Sequence, residues 1–494
     1  MEQPLYRYSD PTRLVVWWEA PVEPITAYTV LLDGREVART THTHITLSEL
    51  EPQSSHTVTV LLPDGTVLGN AQVKLPGERP RLDVTAAPYN AVGDGKTMNT
   101  AALQQAIQDC PAGGTVYLPE GVYLTGALHL HSDMELYLEK GAVLQGSADP
   151  KDYLPRIHSR FEGTEMECYQ SLIHIGSLDH TAGYTCRNVT ICGEGEIRGG
   201  GYALAWATIE SERERIKEFL AANADYIATC ENENTLPGRV RGRLVSIHNS
   251  EHVRISGLTL ADGASWNIHM VYSRDVVTDH CTICSQGIWN GDGWDPDSSE
   301  DCTIFACTFH TGDDSIAIKS GKNPEGNAIA HATRGVRIFD CRCMLGHGIA
   351  MGSEISGGLE DIKIWDCDLS RSRFGIEIKG TAKRGAFVRN IMVQDVVAPS
   401  VLAHAVKYND DGIGAPEPPV FSDLTYRRVT LTGRGLADGE WRSCPAVELT
   451  GFDDGKHAVQ NVRFEALRLT SSAPLHLTHC RDVVLDIAQS GELS

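Results

Sequence analysis

The sequence predicts an all-β protein in which a small β-sandwich precedes a right-handed parallel β-helix. Two patterns favour this fold. Apolar and polar residues alternate in short runs near the N-terminus, and a short strand motif then recurs to the C-terminus. A length of 494 residues also favours two domains over one. We expect the sandwich at residues 1–78 and the β-helix at residues 79–494.

The N-terminal runs have the spacing of short antiparallel strands. Asp33-Gly34 and Asp64-Gly65 provide turn pairs between them. The runs are Leu14-Val-Val-Trp-Trp18, Tyr28-Thr-Val-Leu-Leu32, His44-Ile-Thr-Leu47 and His56-Thr-Val-Thr-Val-Leu61. Their order resembles that of a fibronectin type III module, a resemblance that says nothing about chemistry.

A linker and a helix follow the predicted sandwich. Pro76-Gly-Glu-Arg-Pro80 has the composition of a linker, and Asn99 or Thr97 can cap the helical segment after it. The apolar face of this helix consists of Leu103, Ala106, Ile107 and Cys110. We expect the helix to cover the open end of the β-helix, where strand edges would otherwise be exposed.

The strand motif defines the second domain. Each copy has a polar residue or Gly, then an apolar residue, any residue and usually a second apolar residue. From His252 onward, the copies start between 21 residues (461 to 482) and 38 residues (423 to 461) apart, as in a β-solenoid. The copies are Asn188-Val-Thr-Ile191, His252-Val-Arg-Ile255, Asp275-Val-Val-Thr278, Asp301-Cys-Thr-Ile304, Gly335-Val-Arg-Ile338, Asp361-Ile-Lys-Ile364, Asn390-Ile-Met-Val393, Asp423-Leu-Thr-Tyr426, Asn461-Val-Arg-Phe464 and Asp482-Val-Val-Leu485.

Cysteine usage indicates a reduced interior. Cys281, Cys302, Cys341 and Cys367, among the 14 cysteines, fall at or near Asp-Cys or His-Cys steps. Stacked coils would make them small, buried core residues. A zinc site is the alternative, but Cys281-Thr-Ile-Cys284 lacks a second pair at zinc-finger spacing, and alternation puts its two sulfurs on opposite faces of a strand.

The net charge of -22, from 65 acidic and 43 basic residues, argues against nucleic acid or an anionic membrane as the main partner. A local group of Lys and Arg can still bind an acidic substrate. The N-terminus has no basic start followed by an apolar run, and no stretch is apolar enough to span a bilayer. We therefore expect a cytoplasmic protein, or a secreted one if a leader has been removed.

A polar segment from Leu204 to Asn223 interrupts the repeat with a helical pattern. Its charged run, Ser211-Glu-Arg-Glu-Arg-Ile-Lys-Glu-Phe219, is typical of a solvated surface helix. The alternative is that this segment closes one end of a groove along the β-helix.

Three segments place acidic and imidazole groups among small residues. The repeat puts Asp292, Asp313 and His347 at similar phases of successive coils, so stacking would bring them into one groove. Turn aspartates are usually structural, but the adjacent pair Asp313 and Asp314 reaches one site only through a bend, which is a cost expected at functional positions. Such groups suit acid/base hydrolysis of a sugar linkage. The segments are Asn290-Gly-Asp-Gly-Trp-Asp295, Thr311-Gly-Asp-Asp314 and Gly346-His-Gly348.

These motifs resemble those of the polygalacturonases, a glycoside hydrolase family of pectin-cleaving enzymes with a pectin lyase-like β-helix. The resemblance covers residues 80–490 and extends to Glu377-Ile-Lys379. It implies an inverting mechanism in which Asp313 protonates the leaving oxygen while Asp292 and Asp314 activate a water. It also implies that His347 forms a hydrogen bond that tunes Asp313, and that no metal or other cofactor is needed.

The resemblance implies substrate-binding residues as well. Lys379 would bind a sugar oxygen or carboxylate, Tyr408 would pack against a sugar ring, and Asn290 belongs to the first motif. Lys319 offers a second cation, either for substrate or for an ion pair with a local carboxylate. Glu377 departs from the family pattern, in which an Arg usually binds the galacturonate carboxylate. A Glu would repel that carboxylate and accept hydrogen bonds from sugar hydroxyls.

We therefore predict a hydrolase of pectin-derived α-galacturonosides that acts from the chain end. Arg371, Arg373 or Arg384 would then supply the missing charge. The alternative that Glu377 favours is the same chemistry on a rhamnogalacturonan or a neutral side chain. A lyase is disfavoured because β-elimination on a β-helix usually uses Ca²⁺ and an Arg or Lys base. A non-catalytic carbohydrate-binding β-helix should lack part of the acid/base set, which is complete here.

Overall fold

The computed structural model describes residues 2–406 and 412–488 of the chain. The chain divides into two compact units, Met1–Pro80 and Arg81–Ser494. The predicted boundary after residue 78 falls in the same proline-flanked linker. Within the described residues, no helix combines the length and the apolar character needed to cross a membrane.

The smaller unit contains two antiparallel sheets that share one core. One sheet is formed by Tyr6–Ser9, Leu14–Trp17 and His44–Leu47, and the other by Tyr28–Leu32, Arg35–Thr40, Ser55–Leu61 and Val67–Lys74. Val16, Val30 and Val60 are fully buried between the strands. The antiparallel strands predicted from the alternation are therefore present, whereas the likeness to a fibronectin type III module stays a prediction.

The described part of the larger unit coils into three long parallel sheets, in which equivalent strands of successive coils pair in register. This arrangement confirms the predicted right-handed parallel β-helix. The first sheet contains Arg81–Asp83, Gly114–Leu118, Met134–Leu138, Cys186–Gly193, Ser250–Ser256, Arg274–Asp279, Glu300–Phe305, Thr333–Phe339, Leu359–Trp365, Phe387–Gln394, Val420–Arg427, Val459–Leu469 and Cys480–Ile487.

The other two sheets complete the coil. The second sheet contains Asp94–Met98, Gly121–Thr125, Ala142–Gly146, Glu196–Arg198, Thr259–Ala261, Thr282–Cys284, Thr308–His310 and Arg342–Leu345, and is continued by the short strands Val397–Ala398 and Thr430–Leu431. The third sheet contains Leu128–Leu130, Ile173–Ile175, Val245–His248, Ile268–Val271, Trp294–Asp297, Ile316–Ile318, Gly348–Met351, Gly375–Gly380, Ser400–Ala405, Val447–Thr450 and Leu475–Thr478.

Helices and hairpins leave the coils between these strands. The hairpins are Ile157–Phe161 with Thr164–Cys168 and Arg434–Ala437 with Glu440–Ser443. The helices are α1 (Thr100–Asp109), α2 (Gly201–Arg215), α3 (Lys217–Ala222), α4 (Ala224–Ile227), α5 (Thr235–Gly238) and α6 (Glu325–Ile329), with a 3-10 helix at Pro150–Tyr153. The helical insertion therefore runs past the predicted end at Asn223, because α4 and α5 belong to it.

The polar residue that opens each copy of the strand motif has a common backbone conformation. In all ten copies this residue has a φ between 50° and 72°. The left-handed region is costly for most L-residues and is tolerated best by Gly, Asn and Asp, which occupy nine of the ten positions. The sequence repeat thus reflects a backbone turn that recurs in ten coils, at the start of or within the first-sheet strand.

Helix α1 packs where predicted, but its N-terminus differs in detail. Leu103, Ala106 and Ile107 join the main core, and α1 contacts Leu128–Leu130, the first strand of the third sheet. Asn99 precedes the helix but makes no side-chain capping bond. Its amide instead bonds both backbone groups of Val92, at 2.8 and 3.0 Å, and so fixes the preceding loop.

A column of thiols runs through the core at the corner between the first two sheets. The column contains Cys281, Cys307, Cys341 and Cys367, and the Cys281 amide donates to the Cys307 sulfur at 3.4 Å. Burial raises the pKa of Cys307 well above its usual value. Cys302 is a buried, unpaired core residue as expected, but it lies outside the column, because it belongs to the first sheet opposite Val276. Cys307 was missed because an Ala, not Asp or His, precedes it.

A row of polar side chains along the third sheet includes the buried imidazoles of His174 and His269. His129, His174, Ser246 and His269 are paired in register on successive strands. The ring of His174 stacks on His129 at 4.8 Å, and its Nε2 accepts the Ser171 amide at 2.6 Å. Burial lowers the pKa of His174 to about 3 and that of His269 to about 4. Both rings are therefore neutral at ordinary pH.

His174 should make the fold sensitive to acid. The pKa of His174 is lowered in the folded state, so only the unfolded chain binds a proton here between about pH 6.5 and about pH 3. The free energy of unfolding therefore falls as the pH drops below 6.5, and at pH 5 the loss due to His174 should be about 2 kcal/mol. We expect His174→Gln to reduce the fall in thermal midpoint between pH 7 and pH 5. The exposed His476→Gln is the control, and an equal effect of both changes would contradict this expectation.

Candidate active site

The predicted site residues lie at the start of adjacent third-sheet strands. Trp294 pairs with Ile316, and Ile316 pairs with Ile349. Asp292, Asp314 and His347 each precede one of these paired residues by two positions. The register therefore stacks the three predicted motifs on successive coils.

The glycines that flank His347 allow this close approach. Gly346 has a φ of 128°, and a Cβ at this position would lie 2.0 Å from the Thr311 hydroxyl. Gly348 has a φ of 108°, and a Cβ would lie 2.3 Å from the Gly375 carbonyl oxygen. No other residue type fits either position without movement of the backbone. The Gly-His-Gly motif is thus a steric requirement for seating His347 beside the aspartates.

Asp313 and Asp314 lie in a bend just before Ile316–Ile318. Both line one cleft, as the bend predicted for this pair requires. Asp314 is buried, whereas the Asp313 side chain is 29% exposed. The two neighbours therefore have different environments, which suits different chemical roles.

The cleft encloses about 670 Å³, a volume that includes space open to solvent. Its lining includes all three predicted catalytic aspartates. The remaining lining residues are Glu162, Glu231, Thr235, Arg239, Trp266, Asn290, Lys319, Lys322, Gly352, Ser353, Glu354, Lys379 and Arg384. A pocket with this many charges suits a polar, ionic ligand.

Lys319 anchors Asp292 in the floor of the cleft. Its Nζ lies 2.9 Å from Asp292 Oδ2 and 4.2 Å from the centre of the Trp266 ring. Burial outweighs this ammonium and raises the pKa of Asp292 to about 7. Burial disfavours a charged Lys319, but Asp292 and Asp295 raise its pKa well above the usual value. Asp292 is thus a base of raised strength beside a permanent cation.

Lys379 has the same relation to Asp314. Its Nζ lies 2.9 Å from Asp314 Oδ2. Burial alone would raise the pKa of Asp314, but Lys379 and His347 hold it well below the usual range. Asp314 is therefore ionised at neutral pH.

His347 bonds to the more exposed aspartate. Its Nδ1 lies 2.9 Å from Asp313 Oδ1 and 3.6 Å from Asp314 Oδ1, the second distance being too long for a hydrogen bond. Burial disfavours the imidazolium, but the two carboxylates outweigh it and raise the pKa of His347 to about 10. The pair of His347 and Asp313 thus holds a proton at the edge of the cleft.

Asp313, Asp314 and His347 also offer atoms within 4.8 Å of one another, a spacing that a metal ion could use. The chemistry of the group does not fit a metal. Lys379 already neutralises Asp314, and a metal ligand would have to be a neutral imidazole, whereas His347 is protonated. These charges fit proton transfer better than metal binding.

Asp295, the last residue of the first motif, is fully buried. Neither of its carboxyl oxygens has a hydrogen-bond partner among the described residues. Burial and the nearby Asp292 raise its pKa well above the usual range, which favours the neutral form of the carboxyl.

The expectation that Glu377 binds substrate is not supported by its position. Glu377 is buried and is absent from the described residues that line the cleft. Its Oε1 lies 2.8 Å from His404 Nε2, and its Oε2 lies 3.6 Å from Lys379 Nζ. His404 in turn bonds Glu448 at 2.9 Å. Glu377 thus belongs to a chain of alternating charges that orients Lys379. The motif Glu377-Ile-Lys379 alone does not reveal this role, because His404 and Glu448 lie on other coils.

The other predicted ligands have varied placements. Asn290 lines the cleft, but its Oδ1 accepts from Arg241 Nη2 at 2.6 Å. Lys319 forms the ion pair that was the alternative to substrate binding. Tyr408 lies outside the described residues. Of the arginines considered as replacements for the missing charge, Arg384 lines the cleft, whereas Arg373 lines a second depression that includes His347.

Several lining residues were missed by the sequence analysis. Trp266 lies one coil before the first motif, and Lys322 follows Lys319-Ser-Gly directly. Trp266 could have been found by stepping back one coil from Asp292, and Lys322 by extending the second motif along its coil. Glu162 and Arg239 could not, because they come from a hairpin and a helical insertion with no repeat signal.

Comparisons with known proteins agree with this geometry. The model of the glycosyl hydrolases family 28 matches residues 182–435, and a rhamnogalacturonase A/epimerase, pectate lyase-like model matches residues 84–150. The chain is similar to an exo-poly-alpha-D-galacturonosidase of Dickeya chrysanthemi, at 27% identity over 81% of this chain and 69% of the relative. It is also similar to a probable polygalacturonase of Vitis vinifera, at 31% identity over 74% of this chain and 71% of the relative.

A solved structure extends the likeness to the whole fold. The family 28 exopolygalacturonase of Yersinia enterocolitica superimposes with a TM-score of 0.81 over 99% of this chain and 100% of that chain, at 22% identity. The family model alone spans more than half of the sequence and contains all the aspartates of the cleft. The chain therefore belongs to glycosyl hydrolase family 28.

Proposed function

We propose that this protein is an inverting hydrolase that releases galacturonic acid from the ends of pectin-derived galacturonosides. The observation that carries the proposal is the division of charge in the cleft. Asp292 is a carboxyl with a pKa raised to about 7, the pKa of Asp314 is held well below its usual range, and Asp313 accepts a hydrogen bond from the protonated His347. Acid/base cleavage of a glycosidic bond needs a proton donor and a base of this kind.

The residues suggest the following steps. The proton of the Asp313 and His347 pair passes to the leaving glycosidic oxygen as the bond to the anomeric carbon breaks. Asp292 accepts a proton from the water that adds to that carbon, because a base with a pKa near neutrality is the strongest that is still ionised there. Asp314 stabilises the positive charge that develops on the sugar ring. The water adds from the opposite side, so the product has inverted configuration.

Attack at chain ends is supported by the walls of the cleft. Glu231 precedes α5 and Thr235 is its first residue, and Glu162 lies at the turn of the hairpin Ile157–Phe161 with Thr164–Cys168. These segments leave the regular coils and add side chains to the lining. The names of the Dickeya and Yersinia relatives also denote exo-acting enzymes. The insertion thus favours a closed pocket over an open groove.

The neutral-sugar alternative loses the feature that favoured it. Glu377 was its basis, and the Glu377 carboxylate points to His404 and Lys379. The complete acid/base set likewise disfavours a non-catalytic binding protein. Galacturonosides are therefore the substrate class that we propose.

The product pattern tests this function. We expect oligogalacturonides and long polygalacturonate to yield single galacturonic acid units from the first minutes, with little early loss of viscosity. Mass spectrometry identifies the products, and proton NMR of the first-formed anomer reports the configuration. Early appearance of intermediate-length oligomers would contradict the exo mode, and a retained configuration would contradict the mechanism.

Asp313→Asn should abolish proton donation while leaving the fold intact. We expect kcat to fall by about 100- to 10,000-fold, the usual contribution of a general acid. Initial rates on trigalacturonate check this. Asp301→Asn is the matched control, since Asp301 has a left-handed φ of 52° that Asn tolerates and it does not line the cleft. Similar rates for the two variants would remove Asp313 from the mechanism.

Lys319→Gln should move the acidic limb of the pH profile. Lys319 lowers the pKa of Asp292, so its loss raises that pKa and shifts the limb of kcat/KM to higher pH by about 1–3 units. In the parent we expect this limb near pH 7, where Asp292 ionises. Rates between pH 4 and about 9 on one substrate give the shift. Lys363→Gln, outside the cleft, should leave the limb in place, and an unmoved limb in Lys319→Gln would exclude Asp292 as the base.

A further inference from the structure

Two carboxylates lie within reach of the Lys379 ammonium. Its Nζ is 2.9 Å from Asp314 Oδ2 in the cleft and 3.6 Å from Glu377 Oε2 on the strand Gly375–Gly380. Both acids are buried, and a buried carboxylate without a partner is strongly destabilising. Lys379 can therefore bond fully to Asp314 only if another cation neutralises Glu377.

That cation is His404, on the next strand of the third sheet. Its Nε2 lies 2.8 Å from Glu377 Oε1, and its Nδ1 lies 2.9 Å from Glu448 Oε1. A neutral imidazole has one donor and one acceptor, so a ring between two carboxylates favours the imidazolium. Burial disfavours the charged ring, but the hydrogen bonds to the two glutamates outweigh it and raise the pKa of His404. His404 thus provides a positive charge beside Glu377.

The register of the sheet explains why one histidine reaches both glutamates. Glu377 pairs with Leu402, and Leu402 pairs with Glu448, so the two acids are two coils apart, about 9.5 Å, with an apolar residue between them. His404 lies two residues after Leu402 and therefore on the same face of the sheet. His404 also pairs with Lys379, and the two oxygens of Glu377 bridge these neighbouring cations.

Loss of the His404 charge would affect the acid/base groups through Lys379. Glu377 would then draw Lys379 towards itself, because the two groups are already only 3.6 Å apart. Burial raises the pKa of Asp314, and Lys379 is the chief charge that lowers it. An Asp314 with a weakened partner would stabilise the positive charge on the sugar ring less well. The effect of His404 on the reaction is therefore indirect.

We propose that His404 is a positioning residue of the active site, which neutralises Glu377 and so keeps Lys379 on Asp314. This inference rests on the proposed function, since it concerns the groups that carry out that reaction. His404 matters to the site only because Glu377 is charged. Replacement of His404 alone should therefore be more harmful than replacement of both residues.

Two single variants and their double variant test this dependence. On trigalacturonate we expect His404→Gln to lower kcat by about 10-fold and to change KM less, because Asp314 acts on charge that develops in the transition state. Glu377→Gln should stay within about 3-fold of the parent, because Gln keeps an oxygen that accepts from Lys379 but has no charge that competes for it. The double variant should recover most of kcat, whereas a purely structural role of His404 would give losses that add.

His404→Arg and His457→Gln are the controls. Arg keeps a positive charge beside Glu377 and should preserve most of kcat. His457 also lies between two carboxylates, 2.6 Å from Asp454 Oδ2 and 3.9 Å from Glu417 Oε2, but it does not line the cleft. His457→Gln should leave kcat unchanged. Equal kcat in the parent and His404→Gln, or a double variant slower than His404→Gln, would overturn the inference.

Nitrogen NMR separates the inference from the function on which it rests, because it needs no substrate. At pH 7 we expect both ring nitrogens of His404 to carry protons in the parent, with His404→Arg as the variant that assigns the signals. The Lys379 ammonium signal, assigned with Lys379→Arg, should shift in His404→Gln and return towards its parent position in the double variant.

The outcomes differ for the inference and for the function. A neutral His404 in the parent, or a Lys379 signal that His404→Gln leaves in place, would overturn the inference whichever glycoside the parent cleaves. The His404 measurement uses the parent alone, so it decides even if His404→Gln fails to fold. The expected signals in a parent that cleaves no galacturonide would uphold the positioning of Lys379 and overturn the function.

Discussion

The in-register stacking of parallel coils is the constraint on which the rest of the structure depends. The ten first-sheet strands that contain the motif each have a left-handed residue at or near their start, and this turn fixes the position of the chain within each of those coils. Paired strands then keep equivalent residues in columns. The thiol column, the buried imidazoles and the cleft all follow from this alignment. A shift of one residue in any coil would turn the site residues to the wrong face.

Alignment in turn creates an electrostatic problem that the site residues resolve together. Asp292, Asp313 and Asp314 lie in one partly buried cleft, where like charges repel and burial disfavours ionisation. Lys319 and Lys379 each neutralise one carboxylate, and His347 shares a proton with the third. The same pairings set different proton affinities for neighbouring acids. Stability of the charged cluster and chemical differentiation of its members therefore have one cause.

Much of the site could be predicted because its residues are local in sequence. Asp313 and Asp314 are adjacent, the glycines beside His347 mark a steric need, and the repeat period gives the coil of each motif. Predictions failed where a residue's partner lies on another coil. Glu377 was assigned to substrate because His404, 27 positions later, is invisible in a motif. Cys302 was grouped with the column cysteines because it also follows an Asp, but its Asp lies inside a first-sheet strand and not at the corner after one.

The sequence by itself determined the β-helix, the order of the coils and the three aspartates with His347, because left-handed turns and apolar periodicity act through neighbouring residues. Only the tertiary structure decided which groups face the cleft and which are charged. Arg239, Lys322 and Arg384 meet through a helical insertion and separate loops that no periodicity relates. Their positions, and the proton affinities of Asp292 and Asp314, depend on burial and on charges from distant segments, which exist only when the coils are stacked.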